Sequence, residues 1–130
     1  MAMEQADIVK YKSLYLQTAR AYIRDMQHNL SVLMDGKENP DAVSVVHLAS
    51  HSLASQSLLM GYTTIGSASF GIEKIFKAKM EGNLSFKDTT LHLINRIAGR
   101  IARSVDEVEK SGKEIDLSEE SKQLDAVLRL

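Results

Sequence analysis

Apolar residues recur at intervals of three and four along almost the whole chain, which contains a single proline in 130 residues. This spacing matches the 3.6-residue turn of an α-helix, so each such segment presents one apolar face. In the first segment, residues 4–34, that face is formed by Ile8, Tyr11, Tyr15, Ala19, Tyr22, Met26, Leu30 and Leu33. The pattern predicts one long helix that begins at Glu4, and alternation typical of a strand is absent from the sequence.

Glycine and proline divide the rest of the chain into further helices. Residues 35–40 predict a loop, with Gly36 as the C-cap of the first helix and Pro40 in the first turn of the second. Helices are then expected at 41–60, at 64–81, and from 85 or 87 to 112, followed by a short fifth helix over 118–128 with Ser118 as its N-cap. The sequence thus predicts an all-α protein, an antiparallel up-down four-helix bundle with a short fifth helix at the C-terminus.

Each predicted helix has a set of residues expected to face the core. In the second helix these are Ala42, Val45, Val46, Ala49, Leu53 and Gln56, and in the third they are Ile65, Ala68, Ile72, Ile75, Phe76 and Met80. In the fourth they are Leu91, Ile94, Ile97, Ala98, Ile101, Val105 and Val108. We expect residues 1–112 to form the bundle and residues 113–130 to form a connector and the short helix, with 111–116 as a mobile stretch.

Composition excludes several functional classes. The net charge of −1 gives no overall field that would attract nucleic acid or an anionic membrane. Cysteine is absent, which excludes disulfides, cysteine–zinc sites and thiol catalysis. The sequence shows neither a signal-peptide pattern nor an apolar run of about 20 residues, so we expect a cytoplasmic protein.

His51 is the residue with the most distinctive chemistry. A helix turns by about 100° per residue, so His51 lies about 200° from the inward-facing Ala49 and points outward. Its expected neighbours on that outer face, Ala54, Ser55 and Leu58, leave the ring accessible. An accessible, neutral imidazole nitrogen can attack phosphorus near neutral pH. A surface histidine without a function is the alternative.

The segment that contains His51 resembles a known motif. Histidine phosphotransfer (HPt) domains carry His-Ser-Leu-Lys-Gly-x-Ser-x-x-Leu/Met-Gly on the second helix of a four-helix bundle. This chain has His51-Ser-Leu-Ala-Ser-Gln-Ser-Leu-Leu-Met-Gly61, in which Ala54 and Ser55 replace the usual lysine and glycine. The long first helix, the turn with proline and the Gly-Tyr-x-x-Ile that follows the motif are similar to the N-terminal domain of CheA-type chemotaxis kinases. The resemblance covers residues 11–110.

The resemblance implies roles for further residues. In the CheA-type domain a glutamate on the third helix accepts a hydrogen bond from the ring that becomes phosphorylated and orients its tautomer, and Glu73 stands at the matching position. Pairing of Glu73 with Lys77 one turn along the helix is the alternative. The lysine and the third-helix histidine that lie near the family's site are replaced by Ala54 and Phe70. Lys74 or Lys77 is a candidate to supply the missing charge.

The function that the resemblance implies is phosphotransfer in a two-component phosphorelay. His51 would accept a phosphoryl group from a histidine kinase catalytic domain and pass it to an aspartate of a response-regulator receiver domain, with Ser52, Ser55 and Gly61 as supporting residues. The chain would be a phosphocarrier, the substrate domain of a histidine kinase, without an ATP-binding domain of its own. It would bind no cofactor, since Mg²⁺ and ATP are expected in the partners.

Two other functions are compatible with the sequence. A degenerate HPt-like bundle could serve as a protein docking module without phosphotransfer. A small helical metal-binding bundle is the third hypothesis, because His47 and His51 lie one turn apart and Glu73 could be a third ligand. Since a metal site needs further ligands, we expect no metal.

Overall fold

The computed structural model describes residues 5–36 and 38–129, and every regular element in these ranges is an α-helix. The helices are α1 (Gln5–Met34), α2 (Pro40–Leu59), α3 (Thr63–Met80), α4 (Asp88–Ser111) and α5 (Ser118–Leu128). The predicted all-α bundle is confirmed, with boundaries within three residues of those expected. Glu4, where the first helix was predicted to begin, and Lys37 in the first loop lie outside the described residues.

The positions of Pro40 and Gly61 at the two ends of α2 agree with the prediction, whereas the cap formed by Asn39 was not predicted. Pro40 occupies the first turn, and the side chain of Asn39 caps the helix by accepting a hydrogen bond of 3.0 Å from the amide of Ala42. Gly61 follows the last turn with φ of 86°, a left-handed conformation that glycine adopts without steric cost. The chain therefore reverses within a few residues, and α3 runs back antiparallel to α2.

The core is formed by the inward faces of all five helices. Its largest fully buried side chains are Phe76, Met26, Leu30, Leu53, Ile65, Ile72, Ile75, Ile94, Ile97, Ile101, Leu117 and Leu124. None of the described helices combines the length with the apolar composition needed to cross a bilayer.

Some residues expected in the core are not buried. Ile8 and Tyr11, in the first turns of α1, are exposed because they lie at the end of α2, beside Leu59 and Met60. Met80 is exposed because it is the last residue of α3. Helical periodicity identifies the apolar face of a helix but does not reveal where the neighbouring helix ends.

Two other predicted core residues are only partly buried. Val45 is half-buried, and so is Gln56, whose amide donates to the hydroxyl of Tyr22 at 3.2 Å. The amide oxygen of Gln56 accepts a 2.8 Å hydrogen bond from Thr18. Polar contacts of this kind need a position between the helices rather than in the apolar core.

The segment expected to be a mobile connector makes specific hydrogen bonds. One carboxylate oxygen of Glu114 accepts from the amides of Thr64 and Ile65, at 3.0 and 2.9 Å, and from the hydroxyl of Thr64 at 2.9 Å. The first amides of a helix lack partners within the helix, so Glu114 caps α3 from a distant part of the chain. The amide of Ile115 donates to the hydroxyl of Ser104 at 2.8 Å.

The start of α5 differs in detail from the prediction. Ser118 is the first helical residue rather than the N-cap, which is Leu117. The amide of Ser118 donates to the side chain of Asp116 at 2.9 Å, and this hydrogen bond lowers the pKa of Asp116. The short helix then packs on α3 through the buried Leu124.

Candidate functional site

His51 and Glu73 meet at the boundary between α2 and α3. The ring nitrogen Nδ1 of His51 lies 2.7 Å from Oε1 of Glu73. The two side chains differ in accessibility, since that of His51 is 58% exposed and that of Glu73 is 13% exposed. A ring open to solvent is thus held by a carboxylate that is largely covered by the bundle.

The hydrogen bond determines which ring nitrogen is free. An ionised carboxylate can only accept a hydrogen bond, so Nδ1 of His51 must be the donor and must carry the proton. In a neutral imidazole the other nitrogen, Nε2, then holds a lone pair. This arrangement presents Nε2 as a nucleophile, and the Glu73 carboxylate can balance the positive charge that develops on the ring when Nε2 forms a bond.

Ala54 does not lie where the helical periodicity placed it. It was expected on the open face beside His51, but it is 3% exposed and its carbonyl oxygen faces Gly66 of α3. The prediction took the position of Ala49 as the only guide to the buried side of α2. It was wrong for Ala54 because α3 covers a second side of this helix. Ser55 and Leu58, the other two predicted neighbours of His51, are exposed as expected.

The supporting residues of the motif occupy three different environments. Ser52 is half-buried and Ser55 is exposed. Gly61 lies in the left-handed turn after α2 and so acts through the backbone. Their contribution to function stays a prediction.

The lysines considered as sources of positive charge lie on the outer side of α3. The ammonium of Lys74 lies 5.1 Å from the centre of the Phe70 ring and 3.3 Å from Oδ1 of Asp125 in α5. Lys77 is exposed, and within the described part of the chain no ion pair joins it to Glu73. Lys74 is therefore engaged with α5, and Glu73 contacts the histidine instead of the lysine one turn away.

A metal site has little support in this arrangement. His47 is half-buried, one turn before His51 on α2. Across residues 5–36 and 38–129, no group of three or more histidine or acidic residues is arranged to hold a metal ion.

An exposed apolar surface near the site was not identified from the sequence. Between α1 and the end of α2, two grooves that share Tyr11 and Leu59 are lined by the exposed Ile8, Tyr11, Leu14 and Leu59, and Leu59 is 86% exposed. Leu48 and Leu58 are also exposed, on the same helix as His51. Apolar patches that stay open on a folded protein often mark contacts with partners. A signal was present in the sequence, because Leu48 and Leu58 lie three and seven residues from His51 and so share its helix face.

Comparisons with known proteins agree with the fold. No protein-family model and no curated protein sequence matches the chain. Among solved structures, the phosphorylated P1 domain of CheA3 in complex with CheY6 from R. sphaeroides is similar, with a TM-score of 0.83 and 14% sequence identity. The match covers 92% of this chain and 97% of that one. The chain therefore has the fold of a CheA P1 phosphotransfer domain, as its resemblance to that domain implied.

Proposed function

We propose that this chain is a histidine phosphotransfer module in which Nε2 of His51 carries the phosphoryl group. The hydrogen bond of 2.7 Å between Nδ1 of His51 and Glu73 is the observation that supports this most strongly. This hydrogen bond would fix the tautomer of an exposed ring and leave the lone pair on Nε2. The fold shared with a P1 domain that is phosphorylated in its solved structure supports the same proposal.

The first step loads the histidine. The lone pair of Nε2 attacks the γ-phosphorus of ATP held by a histidine kinase catalytic domain, the bond from phosphorus to the bridging oxygen breaks, and ADP leaves. The ring becomes positively charged because Nδ1 keeps its proton. Glu73, as a poorly solvated carboxylate next to that proton, stabilises this charge.

The second step passes the phosphoryl group on. A carboxylate oxygen of an aspartate in a receiver domain attacks phosphorus, the P–N bond breaks, and its electron pair returns to Nε2. The Mg²⁺ that neutralises the phosphoryl oxygens is supplied by the partner in each step. The chain itself contributes the oriented nucleophile and the surface that partners approach. The CheY6 partner in the solved P1 complex supports a receiver domain as the acceptor.

A small phosphoryl donor tests the proposal without a partner protein. Phosphoramidate can transfer its phosphoryl group to an imidazole nitrogen and release ammonia. We expect the chain to gain one acid-labile phosphoryl group, detected by mass spectrometry and ³¹P NMR, and His51→Gln to gain none. His47→Gln on the same helix is the matched control and should behave like the parent. Equal labelling of all three proteins would contradict the assignment of His51.

Docking without phosphotransfer is the second candidate function. Two observations favour it: Ala54 and Phe70 place no charge beside His51, and the exposed apolar surface described above could bind a partner regardless of chemistry. Phosphoryl uptake separates the two functions. A docking module would take up no phosphoryl group from a kinase or from phosphoramidate. It would also bind a receiver domain, as measured by calorimetry, with the same affinity in the parent and in His51→Gln.

A further inference from the structure

Gly66 lies where α3 packs closely against α2. A Cβ atom built on it would stand 2.6 Å from Cγ and 2.7 Å from Cδ2 of Leu58, and 3.4 Å from the carbonyl oxygen of Ala54. Carbon atoms in contact are normally about 3.5–4.0 Å apart, so a side chain at position 66 requires a shift of the half-exposed Leu58 side chain or of the helices. The φ angle of Gly66 is not positive. Glycine is therefore suited to this position because it lacks a side chain, and not because of its backbone freedom.

The contact between Gly66 and Leu58 is in register with the one between Glu73 and His51. Gly66 precedes Glu73 by seven residues on α3, and Leu58 follows His51 by seven residues on α2. Seven residues make about two turns, or about 10.5 Å, so on each helix both residues lie on the same face. The two pairs are successive contacts along a single antiparallel interface. The separation of the helices at the first contact therefore influences the separation at the second.

We propose that Gly66 is a positioning residue, which keeps α3 near enough to α2 for Glu73 to reach the ring of His51. The link to phosphoryl transfer rests on the proposed function, whereas the geometry stands without it. Hydrogen bonds of this type have lengths of about 2.7–3.2 Å, so an outward shift of about 0.5 Å takes the observed bond to the upper limit. A methyl group at position 66 forces Leu58 or the helix itself to move.

Three glycines provide a matched series of substitutions. Gly66→Ala places the new methyl group against Leu58 of α2, and Gly71→Ala places it on another side of α3, 2.9 Å from Cδ1 of Leu124 in α5. Gly99→Ala, on α4, meets nothing within 4 Å. All three are the same chemical change inside a helix, but only Gly66→Ala affects the interface that holds the site.

The tautomer of His51 is the direct measurement, and it needs no phosphoryl donor. We expect ¹⁵N NMR of the ring to show a protonated Nδ1 in the parent, in Gly71→Ala and in Gly99→Ala. In Gly66→Ala the ring should exchange between both tautomers, as it does when no partner selects one. The rate of phosphorylation by phosphoramidate should fall about tenfold in this variant alone, by analogy with the loss of orienting partners of metal-bound histidines.

Removal of the obstructing atoms should reverse the effect. Leu58→Ala deletes the Cγ and Cδ2 atoms that the new methyl group meets, so the Leu58→Ala/Gly66→Ala double variant should regain the protonated Nδ1 and the parental rate. If Gly66→Ala fails to fold, this double variant carries the test in its place. Three results would overturn the proposal. Gly66→Ala could keep the parental ring signals because Leu58 swings into solvent, or Gly71→Ala could lose these signals to the same extent. The third result is a double variant that does not recover the protonated Nδ1 and the parental rate. A parent with a protonated Nδ1 that takes up no phosphoryl group would overturn the proposed function and leave the role of Gly66 in the hydrogen bond supported.

Discussion

The carboxylate of Glu73 is covered by the bundle while the ring of His51, to which it is hydrogen-bonded at 2.7 Å, remains open to solvent. The two residues are 22 positions apart and come from different helices. A partially desolvated carboxylate interacts more strongly with a charge on the ring than one in bulk water would. In the proposed function, the pair combines an accessible nucleophile with a carboxylate whose charge water screens less than it would in bulk solvent.

Substitution of Glu73 should separate its two roles. In Glu73→Ala nothing selects the tautomer or balances the charge, and we expect phosphorylation to slow by about 10- to 100-fold, the range seen when orienting partners of metal-bound histidines are removed. In Glu73→Gln the amide oxygen can still accept from Nδ1, so the tautomer is kept and the rate should be intermediate. Phosphoramidate labelling measures the rates, and circular dichroism checks the fold. Equal rates for all three proteins would remove Glu73 from the site.

A lysine at position 54 should have opposite effects on stability and on rate. Ala54 is buried between α2 and α3, so Ala54→Lys overpacks the interface at a cost of about 1–3 kcal/mol in unfolding free energy. The aliphatic part of lysine can run along the interface and bring its ammonium group to solvent near His51. We therefore expect faster phosphoryl uptake together with a lower Tm. Lower stability without a gain in rate would show that missing charge does not limit transfer.

The cap that Glu114 provides to α3 should be measurable by its loss. Glu114→Ala removes three hydrogen bonds at the start of α3, and removal of a helix cap costs about 0.5–2 kcal/mol. The amides of Thr64 and Ile65 should lose protection from hydrogen exchange. Glu119→Ala is the control, because Glu119 is exposed in the first turn of α5 and should change these amides little. Unchanged exchange in Glu114→Ala would contradict the cap.

Tyr15 should make the stability fall at alkaline pH. Burial raises its pKa from 10.0 to about 12, against the opposing effect of its 2.8 Å hydrogen bond with Ser57. Because the folded state holds this proton more tightly than the unfolded state, the contribution is complete below pH 10 and is lost as the pH rises to about 12. Two pKa units correspond to about 3 kcal/mol. Chemical denaturation across this range should show the decline in the parent and a smaller one in Tyr15→Phe, and parallel curves would refute the assignment.

The helices and part of the candidate site could be predicted from the sequence. Periodicity, Pro40 and the capping glycines gave the order and extent of α1 to α5, because these signals act within a few residues of the chain. The outward position of His51 followed from its angle relative to Ala49, and the resemblance to HPt domains identified Glu73 as its partner.

The neighbours of these residues could not be predicted, because they depend on how the helices pack. Local spacing left Glu73 free to pair with Lys77, and it placed Ala54 in the open and Tyr11 in the core. Each of these outcomes depends on the distance, rotation and relative length of packed helices. Those quantities arise from contacts between residues on different helices, such as the one between Gly66 and Leu58. The periodicity of a single helix carries no information about such contacts.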